Sequence, residues 1–239
     1  MSATFEHLYA DVLLQKGVAR ALNAELVALG STLHARGFDE LLEKGSPYWA
    51  SIRRGRRKVE LTCAEGLRLF VCSGWEREVR LLSFQHADLG EVAKVVAAWL
   101  GEERDTLSLP AEFSFVHTTP EAEAFIRSPE AWLAQVWQAE LRGESAKVAA
   151  AAYAWPHLRR LRPYTSVGRF GLSRTLGAPD RGLPLIRELE DGRFRLESYS
   201  GTSGEFFPSA EEAVRALTER YLPEDTPAAM FEDEDSFEG

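Results

Sequence analysis

Residues 184–200 read PLIRELEDGRFRLESYS, and the fold turns on how they are read. Apolar and charged residues alternate on both sides of Asp191-Gly192. A dipeptide of that type between two alternating runs predicts a β-hairpin on a two-residue turn. This register sets Leu189 opposite Phe194 and Glu188 opposite Arg195, one packed pair and one ion pair. Downstream, Ser209 is placed to cap a helix with Glu212 three residues on, and Ala213, Val214, Leu217 and Tyr221 fall on one helical face. The same plan occurs upstream. YWASIRR, RKVELTC, GLRLFVC and REVRLLSF form a meander divided at Gly55, Gly66 and Gly74. Asp88 and Glu91 then make a capping box for a helix whose apolar face is Leu89, Val92, Val96, Trp99 and Leu100, with Gly101 as the stop. The expected fold class is α+β: two antiparallel sheet/helix units, each a meander or hairpin followed by a capped helix, joined by a helical middle segment.

Helical spacing elsewhere completes the plan. Residues 5–29 are helical in pattern and broken near Gly17, with Leu22, Leu26 and Leu29 on one face. Ser128 and Pro129 open a helix carrying Trp132, Val136 and Leu141, and an alanine-rich helix runs up to Pro156. HLRRL adds one turn before Pro163. The expected division is an N-terminal α+β unit over 1–103, a helical connector over 104–162, a C-terminal α+β unit over 163–222, and an acidic disordered tail over 223–239.

Composition narrows the function classes. Apolar residues make up 45% and charged residues 27% of 239, an ordinary globular balance. No apolar run reaches the roughly 20 residues a membrane helix needs. The opening MSATFEHLYADV lacks a cationic region before an apolar one, which predicts no signal peptide and a cytoplasmic protein. Seven acids, Glu224, Asp225, Glu232, Asp233, Glu234, Asp235 and Glu238, account for most of the net charge of −9. They suit a solvated tail, or a mimic that occupies a basic surface, with Met230 and Phe231 as an apolar anchor. The hairpin reading of RKVELTC and LRLFVC sets Cys63 opposite Leu67 and Cys72 opposite Lys58. The two thiols are then far apart and on different faces, so both are expected reduced. No metal-ligand spacing links these cysteines with the five histidines, and neither a metal nor a cofactor is expected.

The chemically distinctive stretch is 157–175, HLRRLRPYTSVGRFGLSRT. Arg159 and Arg160 suit a helix C-terminus, where the helix dipole favours cations. A phosphate loop would need glycine-rich backbone donors at a helix N-terminus, which Pro163-Tyr164-Thr165-Ser166 does not supply. A nucleophile would need a base in reach; His157 and His117 are the candidates, and no Gly-x-Ser-x-Gly elbow exists. A second cluster, Arg53, Arg54, Arg56, Arg57 and Lys58 around Gly55, lacks interleaved aromatics and reads as a charged hairpin tip that protects an edge strand, which argues against nucleic acid.

LRRLRPYTSVGRFGLSR and DGRFRLESY, with the upstream RLFVCSGWEREVRLLSFQHADLGEVAKVVAAWLG, resemble an uncharacterised bacterial family. Its members, of actinomycete type, form a domain of unknown function labelled natural-product biosynthesis protein. The resemblance runs over roughly residues 8–222 and is most specific at Leu161–Ser166, Phe170–Arg174 and Asp88–Leu100. Val167 stands where the family often has histidine, which weakens a shared acid–base site. The resemblance carries no reaction, substrate or catalytic residue.

The resulting expectation is a non-enzymatic cytoplasmic protein acting by macromolecular binding, as an immunity-type or pathway accessory protein. Its partner is a protein, one with a basic surface if the acidic tail engages it. Its binding residues are Tyr164, Ser166, Arg169 and Arg174, with no catalytic residue assigned. The alternative is a small-molecule enzyme or binder in natural-product biosynthesis, with Tyr164 or His117 as acid or base and an arginine orienting a carboxylate.

Overall fold

The computed structural model describes residues 5–37, 47–201 and 204–231. The chain divides into two compact units, 1–123 and 124–239. The fold class is α+β, with one antiparallel sheet in each unit.

In the first unit, helices α1 (Phe5–Leu8), α2 (Ala10–Leu14) and α3 (Val18–Ala28) precede the strands. The break falls at Lys16 and Gly17, where both φ angles are positive and Val18 N–H donates to the Pro47 carbonyl at 2.7 Å. Leu22 and Leu26 are buried, whereas Leu29, expected beside them, is exposed at the helix end. The six-stranded sheet runs in sequence order through β1 (Arg36–Gly37), β2 (Trp49–Arg54), β3 (Arg57–Cys63), β4 (Phe70–Glu76), β5 (Val79–His86) and β6 (Val116–Thr118). Helix α4 (Leu89–Val96) continues into a π-turn over Ala97–Gly101, and a short α5 (Leu109–Glu112) precedes β6.

Three expectations for this unit are corrected. Gly74 is no turn but lies inside β4, where a Cβ would come within 2.8 Å of the Trp99 ring. The β4–β5 reversal falls instead on Arg77 and Glu78, both at positive φ. At α4, Asp88 Oδ1 accepts from Gly90 N–H at 2.7 Å while Glu91 pairs with Lys94, so the cap forms without its reciprocal half. Between β3 and β4, Cys63 pairs with Phe70 and Cys72 with Leu61. The loop 64–69 is longer than a tight turn because the buried Tyr9 hydroxyl organises it, accepting from Leu69 N–H at 2.9 Å and lying 3.0 Å from the Ala64 carbonyl. The cysteines therefore share one sheet face at diagonal positions, and both are free. Burial pushes the Cys63 thiol up to about 12 and raises Cys72 as well. At pH 8 the native protein should label slowly with a disulfide reagent and release both thiols in denaturant. Rapid native labelling of either thiol would contradict this burial.

Three of the basic residues around Gly55 form ion pairs with nearby carboxylates. Arg53 pairs with Glu78 at 2.8 Å, Arg57 with Glu76 at 3.0 Å, and Lys58 with Glu60 at 3.2 Å.

Helix α6 (Ala122–Arg127) crosses the division between the units. The second unit then holds α7 (Pro129–Glu140), α8 (Ala146–Tyr153), a 3-10 turn over Leu158–Arg160, strands β7 (Arg162–Ser166), β8 (Arg169–Ser173), β9 (Leu185–Glu188), β10 (Phe194–Glu197) and β11 (Gly204–Phe207), and α9 (Ala210–Tyr221). Sheet order is β11-β10-β9-β8-β7. Ser128 and Ser209 cap α7 and α9 through Ala131 N–H and Glu212 N–H, as their spacing predicts. One face of the sheet carries Phe170, Leu172, Ile186, Phe194 and Leu196, which share a core with Trp137, Ala149 and Val214 from the helices. The segment expected as a helical connector is thus divided at 123/124, and its α7 and α8 belong to the core of the second sheet.

The disorder expected from residue 223 does not begin there. Ala229 N–H donates to the Arg160 carbonyl, Met230 N–H to the Arg174 carbonyl, and Leu176 N–H to the Met230 carbonyl. Phe231 lies 5.5 Å from the Phe125 ring and 6.0 Å from Trp132, an anchoring role within the chain. The acids from Glu232 to Glu238 lie outside the described residues.

Candidate functional site: an arginine row on the second sheet

The 184–200 hairpin forms with a register one step from the expected one. Leu189 N–H donates to the Arg193 carbonyl at 2.8 Å, so the loop is Glu190-Asp191-Gly192, with Gly192 at φ 81°. A three-residue loop with glycine in the left-handed position is the next common hairpin closure. Glu188 therefore faces Phe194, and Arg195 faces Arg187. Arg187 in turn faces Arg169, which faces Ser166. Three guanidinium groups stand side by side across β8, β9 and β10, an arrangement that like-charge repulsion disfavours.

Among the described residues, one carboxylate answers them. Glu197 follows Arg195 by two residues, on the same sheet face, with its side chain only 1% exposed. Its oxygens lie 3.2 Å from Arg187, 3.6 Å from Arg195 and 3.7 Å from Arg169. The balance is incomplete in both charge and hydrogen bonding. Nε of Arg169, Arg187 and Arg195 is buried with no hydrogen-bond partner among the described residues, and so is Glu197 Oε1. A buried donor left unmade costs about 1–3 kcal/mol.

Tyr164 lies on the same face at the β7 edge. It is 7% exposed, and its ring covers Gly171, where a Cβ would meet Tyr164 Cζ at 2.5 Å. Glycine is thus required at 171 by close approach. The Tyr164 hydroxyl has no partner among the described residues, and burial pushes its pKa up to about 12. Arg162, two residues before Tyr164, likewise leaves Nε and Nη1 unfilled, and burial lowers its pKa. Between β7 and β8 the turn is Val167-Gly168, with Val167 at φ 51° and 85% exposed. A β-branched residue in the left-handed region is strained.

Of the four residues expected to bind, the structure brings Tyr164, Ser166 and Arg169 onto one face. Arg174 separates from them. It lies past the end of β8, out of step with Arg169 by an odd number, and pairs with Asp180 at 2.7 Å. Arg187, Arg195 and Glu197 were missed, although alternation in LIRE and FRLE marks them as sharing faces; the turn length concealed which faces meet. His157 directs Nε2 toward the Leu222 carbonyl at 3.2 Å, and His117 is exposed on β6. Arg159 donates to the nearby Tyr153 carbonyl, and Arg160 to the Glu224 and Thr226 carbonyls of the C-terminal segment.

A cleft of about 420 Å³ shares Glu197 with the row, and its walls include Arg181, Pro184, Tyr199, Arg220 and Tyr221. No group of three or more metal-ligating side chains occurs among the described residues, and no helix of these residues is long and apolar enough to cross a membrane.

Residues 130–232 match the model of a family of unknown function (DUF6193), a span that contains the whole arginine row. No curated protein and no solved structure matches the chain. The resemblance to an uncharacterised domain family thus stands for the second unit.

Proposed function

We propose that this is a non-enzymatic cytoplasmic binding protein of the accessory or immunity type, which recognises its partner through the arginine-bearing face and β7–β8 edge of the second sheet. The observation that carries this reading is the row Arg169–Arg187–Arg195 with donors unfilled around one buried carboxylate. Such a surface suits an acidic partner. A basic partner was expected only on the strength of the tail acids. The strained, exposed Val167 tip adds an apolar contact beside the cations, and strain of this kind concentrates at functional positions. Binding is favoured over bond-making because the Tyr164 hydroxyl has no histidine or carboxylate within hydrogen-bond distance among the described residues. The double variant Arg169→Glu, Arg187→Glu should lose at least tenfold of its specific partner recovery from cell extract. Unchanged recovery of every specific partner would remove this face from the reading.

A second reading, a small-molecule binder in natural-product metabolism, is favoured by the cleft beside Glu197. Its volume falls within the range of small-ligand sites, and Tyr199 and Tyr221 offer aromatic walls.

A further inference from the structure

We propose that the arginine row is a receptor for a phosphate monoester dianion, with Glu197 standing in the anion's place when no ligand is bound. The inference rests on the binding role of this face and specifies the ligand group it takes. Among the described residues, three guanidinium groups and one carboxylate leave a surplus of two positive charges at the row, which a dianion neutralises and a single carboxylate does not. The geometry supplies the donors. Nη atoms of Arg169, Arg187 and Arg195 lie 3.7, 3.2 and 3.6 Å from the oxygens of a Glu197 side chain that is almost wholly buried, and the Nε of each arginine is buried with no hydrogen-bond partner among the described residues. The buried Tyr164 hydroxyl and Arg162 Nε and Nη1 supply further donors on the same face that are unfilled among the described residues. Planar guanidinium forks match phosphate oxygens in pairs, which makes such contacts shorter and stronger than neutral ones. The strands hold these groups without loop rearrangement. Glycine at 204, whose absent side chain leaves room for the Arg195 stem, lets that arginine lie flat across the sheet. The adjoining cleft of about 420 Å³ is open to the remainder of a phosphorylated ligand.

Glu197 has a distinct part in this scheme. It is the internal competitor, so removing its charge and removing an arginine act in opposite directions. A merely structural ion cluster would be weakened by both changes and would respond to no anion.

The test uses the full chain, with inorganic phosphate and glycerol phosphate as probes and acetate and chloride at matched ionic strength as controls. Thermal midpoints and calorimetric titration are read for the wild type, Arg187→Gln, Arg187→Lys and Glu197→Gln. The wild type should gain roughly 5–10 °C at a hundredfold excess over Kd, with acetate and chloride giving no saturable shift. Arg187→Gln should weaken phosphate at least tenfold. Arg187→Lys, which keeps the charge and loses the fork, should fall between and guards against a Gln variant that does not fold. Glu197→Gln should bind phosphate several-fold more tightly. Two further arms compare glycerol phosphate with a short phosphoserine peptide, and the tighter of the two identifies the source of the phosphate. The proposal is overturned if phosphate gives no saturable stabilisation beyond chloride, or if Arg187→Gln and Glu197→Gln leave its affinity unchanged. Arginine-dependent partner capture without phosphate binding would keep the recognition face and remove the phosphate. Phosphate binding with arginine-independent capture would do the reverse.

Discussion

Trp137→Ala is expected to lower the unfolding free energy by about 4 kcal/mol, the largest single effect of any substitution considered for the second unit. Trp137 is 1% exposed and packs edge-on to Tyr153 at 5.3 Å, with Phe170 at 6.3 Å. Its indole N–H is shared between the Arg159 and Leu161 carbonyls, each at 3.1 Å. Truncation leaves a cavity between helix and sheet and deprives two carbonyls of a donor just before β7 begins. Both losses act on the strand that carries Arg162 and Tyr164. Urea unfolding followed by circular dichroism should show the midpoint fall with little change in slope, and the thermal midpoint should drop by roughly 10 °C or more. Trp137→Phe, which keeps most of the volume and loses only the donor, should cost about 1–2 kcal/mol. A Trp137→Ala loss below 1 kcal/mol would mean that the helices do not build this core.

Glu197→Ala is expected to cost about 3 kcal/mol, because it removes the buried carboxylate that three adjacent guanidinium groups share. The figure sits at the low end for a broken buried ion cluster, since the Arg187 side chain is 42% exposed and water screens it. The origin of the loss can be separated from simple truncation. Repulsion among Arg169, Arg187 and Arg195 weakens as salt rises, so part of the lost stability should return between low salt and 1 M sodium chloride. A cavity effect would show no such recovery. If Glu197→Ala were neutral in low salt, the three cations would not be interacting, and the surplus charge on this face would lose its significance.

Much of the architecture was legible in the residues themselves. Period-two alternation marked the strands from Trp49 to His86 and from Arg169 to Glu197, and Ser128 and Ser209 marked helix starts that form as their spacing predicts. Sequence and structure part at the turns. Gly74 looked like a turn residue, but its small size serves packing beneath Trp99, a requirement imposed by a residue 25 positions away in the chain. A tight turn at Gly66, the simplest closure, sets Cys63 and Cys72 apart. A hydroxyl on α1–α2, that of Tyr9, instead supports a longer loop. The order of residues 223–231 was hidden for a similar reason, since the carbonyls and amides that hold them lie at Arg160, Arg174 and Leu176.

The candidate site shows where the two sources of information part. Alternation along β9 and β10 settles by itself that Leu185 and Arg187 share a face, and that Arg195 and Glu197 do. The α+β class, the amphipathic helices and the local cationic character of 157–175 are determined at that level as well. Which charged face meets which is decided by the loop between the strands. A single added loop residue, Glu190, moves the pairing by one and exchanges an expected Glu188–Arg195 ion pair for an Arg187–Arg195 contact. Because side chains alternate every residue, a one-step change of register inverts the partner face completely. Only the folded sheet, in which β8 also joins the row through Arg169, decides that three cations converge on one buried carboxylate.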